Sequence, residues 1–153
     1  MKIFISCPFS GIMDWDKKEI KKEYKYFFNE LINYMESQKI DYYLAIKREN
    51  MGKDYVSPKE STLSDYNGVK NCDVLFVIPG NPISGGVHIE LGWASSMKKK
   101  IHLFLEKEAH YSPVLNGLSA LTETIYHKTE KFPSQTLLDC IINAIKEETN
   151  RKE

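Results

Sequence analysis

Val74-Leu75-Phe76-Val77-Ile78 is a run of five consecutive apolar residues, closed by Pro79-Gly80. A run with no polar alternation has no face to give to water, so it suits the middle of a parallel sheet covered by helices on both sides. The rest of the chain has to supply those neighbours. Shorter apolar runs at Ile3-Phe4-Ile5, Tyr42 to Ile46 and Ile101 to Leu105 read as further strands, and Leu121 to Tyr126 as an edge strand. Between them, Ile20, Tyr24, Phe27, Phe28, Leu31, Tyr34 and Met35 recur at helical spacing, predicting a helix from Asp14 to about Ser37. Ser57-Pro58-Lys59-Glu60 predicts a second helix, with Ser57 as cap, Pro58 in the first turn and Glu60 completing a capping box. Further helices are read from Gly85 to Lys98 and through Leu137, Leu138, Ile141, Ile142 and Ile145.

Alternation of this kind predicts a doubly wound, flavodoxin/Rossmann-like α/β fold with a five-stranded parallel sheet. The chain has 153 residues, the length of one domain, read here as residues 1–146 followed by a charged tail, 147–153, expected to fray. Lys and Arg total 21 and Asp and Glu total 21, so the balanced charge argues against a nucleic-acid polymer as partner. No apolar run approaches the ~20 residues of a membrane span, and Ile3-Phe4-Ile5 is too short for a signal peptide; the expectation is a cytoplasmic protein. Cys7, Cys72 and Cys140 are scattered without a CxxC, and His102, His110 and His127 have no ligand spacing, so neither a metal nor a cofactor is implied.

In a doubly wound sheet, ligands bind in the crevice beyond the carboxyl ends of the strands. Three segments meet there: the Cys7–Met13 turn, the polar Lys47–Val56 loop and the Pro79–Gly86 loop. The last runs from a strand into a helix, a layout that presents backbone N–H groups to an anion. It lacks the GxxxxGK[ST] spacing of a phosphate loop, and no GxGxxG follows the first strand. Glu90 lies four residues after Gly86, on one helix face, and the missing side chain leaves space above its carboxylate. The helix dipole is expected to hold Glu90 ionised, as suits a nucleophile; the plainer alternative is a surface Glu steadying its own helix. Asp65, eight residues before Asp73 on the preceding helix, is within reach of the same crevice or is a solvated helix acid, and Asp73 reads as a turn or cap residue.

Asp65-(x7)-Cys72-Asp73-Val74-Leu75-Phe76-Val77, followed by Ser84-x-Gly86-x-x-x-Glu90-Leu91-Gly92-x-Ala94, resembles the nucleoside 2-deoxyribosyltransferase superfamily. Within it the likeness is to the nucleoside 5′-monophosphate N-glycosidases, including the 2′-deoxynucleoside 5′-phosphate N-hydrolases. It spans roughly residues 1–105. The resemblance implies that Glu90 attacks the anomeric carbon, that Asp65 handles protons at the departing base, and that Ser84 holds the 5′-phosphate beside Gly86. It further implies a homodimer whose partner closes the pocket. In the first turn, Ser10 and the backbone of Gly11 stand where the mammalian-type hydrolase has an Arg and further hydroxyls. Asn116 stands where a neighbouring subunit lends a Ser to the phosphate. Lys47 and Arg48 are candidates to restore positive charge. Phe9, and with it Trp15, is a candidate to stack on the base.

The implied activity is cleavage of the base–sugar bond of a (deoxy)nucleoside 5′-monophosphate through a covalent glycosyl-Glu90 intermediate. Base exchange between nucleosides, a TIR-like NAD glycohydrolase and a non-catalytic nucleotide-sensing module are the alternatives.

Overall fold

The computed structural model describes residues 1–81 and 83–151; residue 82 of the Gly-rich loop and residues 152–153 of the expected tail lie outside the described residues. In chain order the elements begin with β1 (Lys2–Ser6), a hairpin of β2 (Met13–Asp14) and β3 (Glu19–Ile20), α1 (Lys22–Ser37), β4 (Asp41–Leu44) and the single turn α2 (Ala45–Arg48). Then follow α3 (Pro58–Asn71), β5 (Val74–Val77), α4 (Gly85–Ser96), β6 (Lys100–Glu106), α5 (Pro113–Asn116), β7 (Thr124–Thr129) and α6 (Gln135–Asn150). Five strands pair in parallel in the order β4-β1-β5-β6-β7, so the apolar run of β5 lies at the centre and β7 is an edge. The connection from β1 goes to one side and the connection from β4 returns to the other. The switch point therefore falls between β1 and β5.

Side chains of β1 and β5 alternate between the two faces of the sheet. Ile3, Ile5, Val74 and Phe76 pack with Phe28 and Leu31 of α1 and Leu138 and Ile141 of α6. Phe4, Leu75 and Val77 pack with Val69 of α3 and Val87, Leu91 and Ala94 of α4. Burying each large side chain stabilises the layers by ~1.5–3 kcal/mol. Continuing the β1 alternation, Ser6 points to the α3–α4 face.

The expected helix from Asp14 begins only at Lys22. Asp14 Oδ1 accepts a hydrogen bond from Lys17 N at 3.2 Å, and Lys18 takes a φ of 52°, so the polar stretch turns instead of coiling. Met13 and Ile20 are buried, and the hairpin is tied down by Ile20 N to Met51 O at 3.0 Å and Lys21 N to Ile12 O at 2.9 Å. Gly52 closes this corner with a φ of +89°, where a Cβ would fall 2.6 Å from Met13 Sδ. The second strand stops at Leu44, with Ala45–Arg48 helical, and the edge strand runs later than expected, over Thr124–Thr129. The tail expected to fray from Glu147 is instead the last turn of α6, because Glu148 is buried and bonded to Lys100 and His102. Among the described residues no helix is long and apolar enough to cross a membrane.

Candidate active site

The α3 capping box forms as the sequence predicts: Glu60 N donates to Ser57 Oγ at 3.2 Å, and Ser57 N donates to Glu60 Oε2 at 3.0 Å. It fixes the start of the helix that carries Asp65. At the far end, Asp73 N donates to Lys2 O at 2.8 Å and Asp73 Oδ2 accepts from Lys2 N at 2.7 Å, tying the foot of β5 to that of β1. Between these anchors Asp65 faces the sheet, half-buried. Its Oδ1 accepts from the Tyr43 hydroxyl at 2.7 Å and from Arg48 Nη1 at 3.4 Å. Tyr43 is held by stacking on Phe4, with ring centroids 5.0 Å apart.

Glu90, in the second turn of α4, turns inward to the switch point, where Ser6 Oγ donates to its Oε2. The two carboxyl groups are close enough to influence each other electrostatically, and both act on Cys7 at the end of β1. Burial pushes Glu90 up to about 8, with Asp65 adding to the rise while Ser6 and Arg48 oppose it. The expectation that the helix dipole keeps Glu90 ionised is therefore overturned. A dipole is worth ~0.3–1 kcal/mol within the first turn, less than one pKa unit, whereas burial moves a carboxyl by several. Burial also raises Asp65, against hydrogen bonds from Tyr43 and Arg48. Burial holds the Cys7 thiol well above its ordinary value, so it is no thiolate nucleophile.

The mouth of the site is open. A Cβ at Gly86 would meet only Ser84 Oγ, at 3.7 Å, and one at Gly11 would have nothing within 4 Å. Ser84 is the N-cap of α4, yet its hydroxyl makes no capping bond, and the first backbone bond of the helix is His88 N to Ser84 O at 3.3 Å. Among the described residues, the hydroxyl and the leading N–H groups of α4 are thus left as donors. His88 Nδ1 donates to Ser84 O at 3.0 Å, which steadies that turn. Ser10 and Gly11, in a short 3-10 turn, are exposed on the neighbouring loop. Phe9 makes an edge contact with Trp15 at 6.5 Å and stacks on Tyr55 at 6.2 Å; Trp15 and Tyr55 are each 60% exposed. Asn116 is exposed at the end of α5. Trp93 makes an edge contact with Tyr66 at 5.3 Å.

Lys47 and Arg48, the candidates to restore positive charge, are both already paired. Lys47 bonds to Glu36 and Tyr42, and Arg48 bonds to Tyr43, Asp65 and Glu49. Sequence reasoning missed Ser6, Tyr43, Glu49 and Tyr55. Ser6 and Tyr43 share the inward face of neighbouring strands, a signal that becomes readable once the strand order is known. Among the described residues no group of three or more His, Cys, Asp or Glu is arranged to hold a metal ion.

No family model matches the chain, and no curated protein matches it. Solved structures do. The Clostridium botulinum CMP N-glycosidase BcmB is 27% identical with a TM-score of 0.68, covering 92% of this chain and 97% of that one. BlsM is 28% identical with a TM-score of 0.69, covering 97% and 93%. A conserved protein of Enterococcus faecalis V583, 18% identical with a TM-score of 0.57 over 96% and 98%, shares the fold. BcmB and BlsM belong to the nucleoside 2-deoxyribosyltransferase-like superfamily, the family that residues 65–94 resemble.

Proposed function

We propose that this chain, with the fold and the motif residues of the nucleoside 2-deoxyribosyltransferase superfamily, is an enzyme that hydrolyses the N-glycosidic bond of a nucleoside 5′-monophosphate. The observation that carries the reading is Glu90, turned inward onto Ser6 beneath the uncovered backbone of Gly86 and beside Asp65. The named activity of BcmB supports the same class and makes CMP the first substrate to try.

The nucleotide lies across the switch point. Its 5′-phosphate meets the Ser84 hydroxyl and the leading N–H groups of α4, with Ser10 and Gly11 opposite. Its base lies against Phe9, where Trp15 and Tyr55 extend the aromatic wall. C1′ then stands over the Glu90 carboxylate. Attack there gives a glycosyl ester through an oxocarbenium-like transition state while Asp65 delivers a proton to the departing base. Water releases the sugar 5-phosphate. A second copy of the chain completes the pocket with Asn116. Exposed apolar side chains on α3 (Leu63), α4 (Ile89) and α5 (Val114, 77% exposed) support that homodimer.

The test is a product screen over CMP, the other ribo- and deoxyribonucleoside monophosphates, the free nucleosides and NAD, each with and without an acceptor base. Free base and sugar 5-phosphate from a monophosphate, with no new nucleoside formed from the acceptor, is the expected result. Exchange into the acceptor would make the protein a transferase, and nicotinamide release from NAD would make it an NAD glycohydrolase. A 2′-fluoro substrate analogue is expected to add its glycosyl mass to the peptide containing Glu90; the same mass on another peptide overturns the nucleophile assignment. Glu90→Gln is expected to lower kcat by roughly a thousandfold or more with near-normal binding, whereas impaired affinity alone would mark a nucleotide sensor.

A further inference from the structure

The site holds more acid than base. Arg48 is the one guanidinium among three carboxyl groups: its Nη2 donates to the buried Glu49 at 2.7 Å, and its Nη1 reaches Asp65 at 3.4 Å and the Tyr43 hydroxyl. Glu90 has no cation within ion-pair distance among the described residues, only the neutral Ser6 donor. The two acids are thus unequally served. Asp65 has two donors, one of them charged, both on Oδ1; its Oδ2 accepts no hydrogen bond among the described residues. Two partly buried carboxyl groups in one site do not both ionise freely, and the member with fewer donors keeps the proton.

We propose that Tyr43 and Arg48 are positioning residues that hold Asp65 as carboxylate and so store the site's single proton on Glu90, from which it reaches the departing base by way of Asp65. The proposal rests on the N-glycosidase reading and gives that reaction its proton source. In the first half, the Glu90 O–H bond breaks and its proton passes, through an intervening water since no hydrogen bond joins the two carboxyl groups among the described residues, to Asp65 Oδ2. The freed carboxylate forms the O–C1′ bond, the C1′–N electron pair leaves with the base, and Asp65 protonates it. In the second half, water adds its oxygen to C1′ and gives a proton to Asp65. The ester electron pair returns to Glu90, and the proton moves back from Asp65 to Glu90. No proton is drawn from bulk solvent within the cycle. The other groups facing the pair are the Cys7 thiol, held protonated by burial, the Tyr43 hydroxyl, held protonated by burial and by Asp65, and the Arg48–Glu49 ion pair.

Two measurements test it. In the first, infrared difference titration of the protein without substrate reads protonated carboxyl groups directly. A protonated-carboxyl band at neutral pH that disappears in Glu90→Gln and persists in Asp65→Asn is the expected result. A band lost in Asp65→Asn instead, or no band at neutral pH, overturns the proposal whether or not the protein turns over a nucleotide. In the second, kcat/KM against pH is expected to be bell-shaped on the best substrate of the screen. Tyr43→Phe, which removes one oxygen, moves the acid limb up by roughly one pH unit, the size given by losing one hydrogen bond to a carboxylate, and leaves the alkaline limb in place. Arg48→Gln moves both limbs up and Arg48→Lys restores them partly. A Tyr43→Phe profile lowered equally at every pH, or superimposed on wild type, overturns the assignment. Absence of base release by the wild type on every substrate removes the N-glycosidase reading itself, and the infrared titration still decides where the proton sits.

Discussion

A methyl group added at Gly86 would meet only Ser84 Oγ, at 3.7 Å, whereas one added at Gly68 would fall 2.7 Å from Phe4 Cε2 and 3.1 Å from Tyr43 Cδ1. The two glycines flank the site from α4 and α3, and the physics of a side chain differs at each. At Gly86 the added atoms enter space that no protein atom uses. Gly86→Val is therefore expected to leave the urea midpoint near wild type and, on the proposed reading, to lower kcat/KM about tenfold or more, because the branched side chain would occupy the place proposed for the sugar over Glu90. At Gly68 the added atom meets rings that cannot move without shifting the sheet. Gly68→Ala is expected to cost ~1–3 kcal/mol in urea denaturation and to lower activity as well, since displacing Tyr43 loosens its hydrogen bond to Asp65. Equal stability losses in the two variants would show that the space above Glu90 is already filled in the folded protein.

Helix α3 owes its position to signals at its ends, and one of these can be removed alone. Ser57→Ala deletes the hydroxyl that Glu60 N uses, at an exposed position, and is expected to cost about 1 kcal/mol in urea denaturation with little change in KM. A larger loss of activity than of stability would mean that the cap also sets where Asp65 sits. This capping box was legible in the sequence because it is local: four consecutive residues decide it. The buried run of β5 and the glycine-to-glutamate spacing on α4 were legible for the same reason. The hairpin of β2 and β3 was not, since Ile20 has helical spacing to Tyr24 and Phe27 and only the burial of Met13 against Gly52 shows that the chain turns back. The partners of the two acids were hidden more deeply. Ser6 and Glu90 are 84 residues apart, and Tyr43 reaches Asp65 only because β4 pairs with β1 at the register Phe4 to Tyr43 and α3 packs against that face. No spacing rule carries strand order.

Across the whole molecule, the clearest consequence of that hidden order lies on the other face of the sheet, where His102 of β6 and His127 of β7 are side by side. His127 Nε2 and His102 Nδ1 are 2.9 Å apart, His102 Nε2 is 3.1 Å from Glu148 Oε1, and Lys100 Nζ is 2.7 Å from the same oxygen. With Glu148 ionised, one tautomer set satisfies all of it: His102 Nε2–H donates to Glu148 and His127 Nε2–H donates to His102 Nδ1, both rings neutral. The rings also stack within the aromatic layer, His102 on Phe76 at 4.6 Å and His127 on Phe104 at 4.5 Å. This chain staples the last turn of α6 to two strands. Burial lowers His102, against the pull of Glu148, and burial followed by His102 itself lowers His127 to about 4. Glu148 is held below the usual carboxylate range by Lys100 and His102, although burial opposes its ionised form. Folded pKa values below unfolded ones mean that the unfolded chain takes up protons first. The contribution is therefore complete above about 6.5 and is lost as the pH falls from there towards 4, with Glu148 extending the loss below. After discounting for the partly exposed His127 ring, the loss between pH 7.5 and pH 5 is on the order of 1–2 kcal/mol. Urea denaturation at the two pH values should read it in the wild type, with a smaller fall in His127→Gln. If both proteins lose the same amount, the histidine pair does not titrate with unfolding, and the acid response has to come from other groups of the fold.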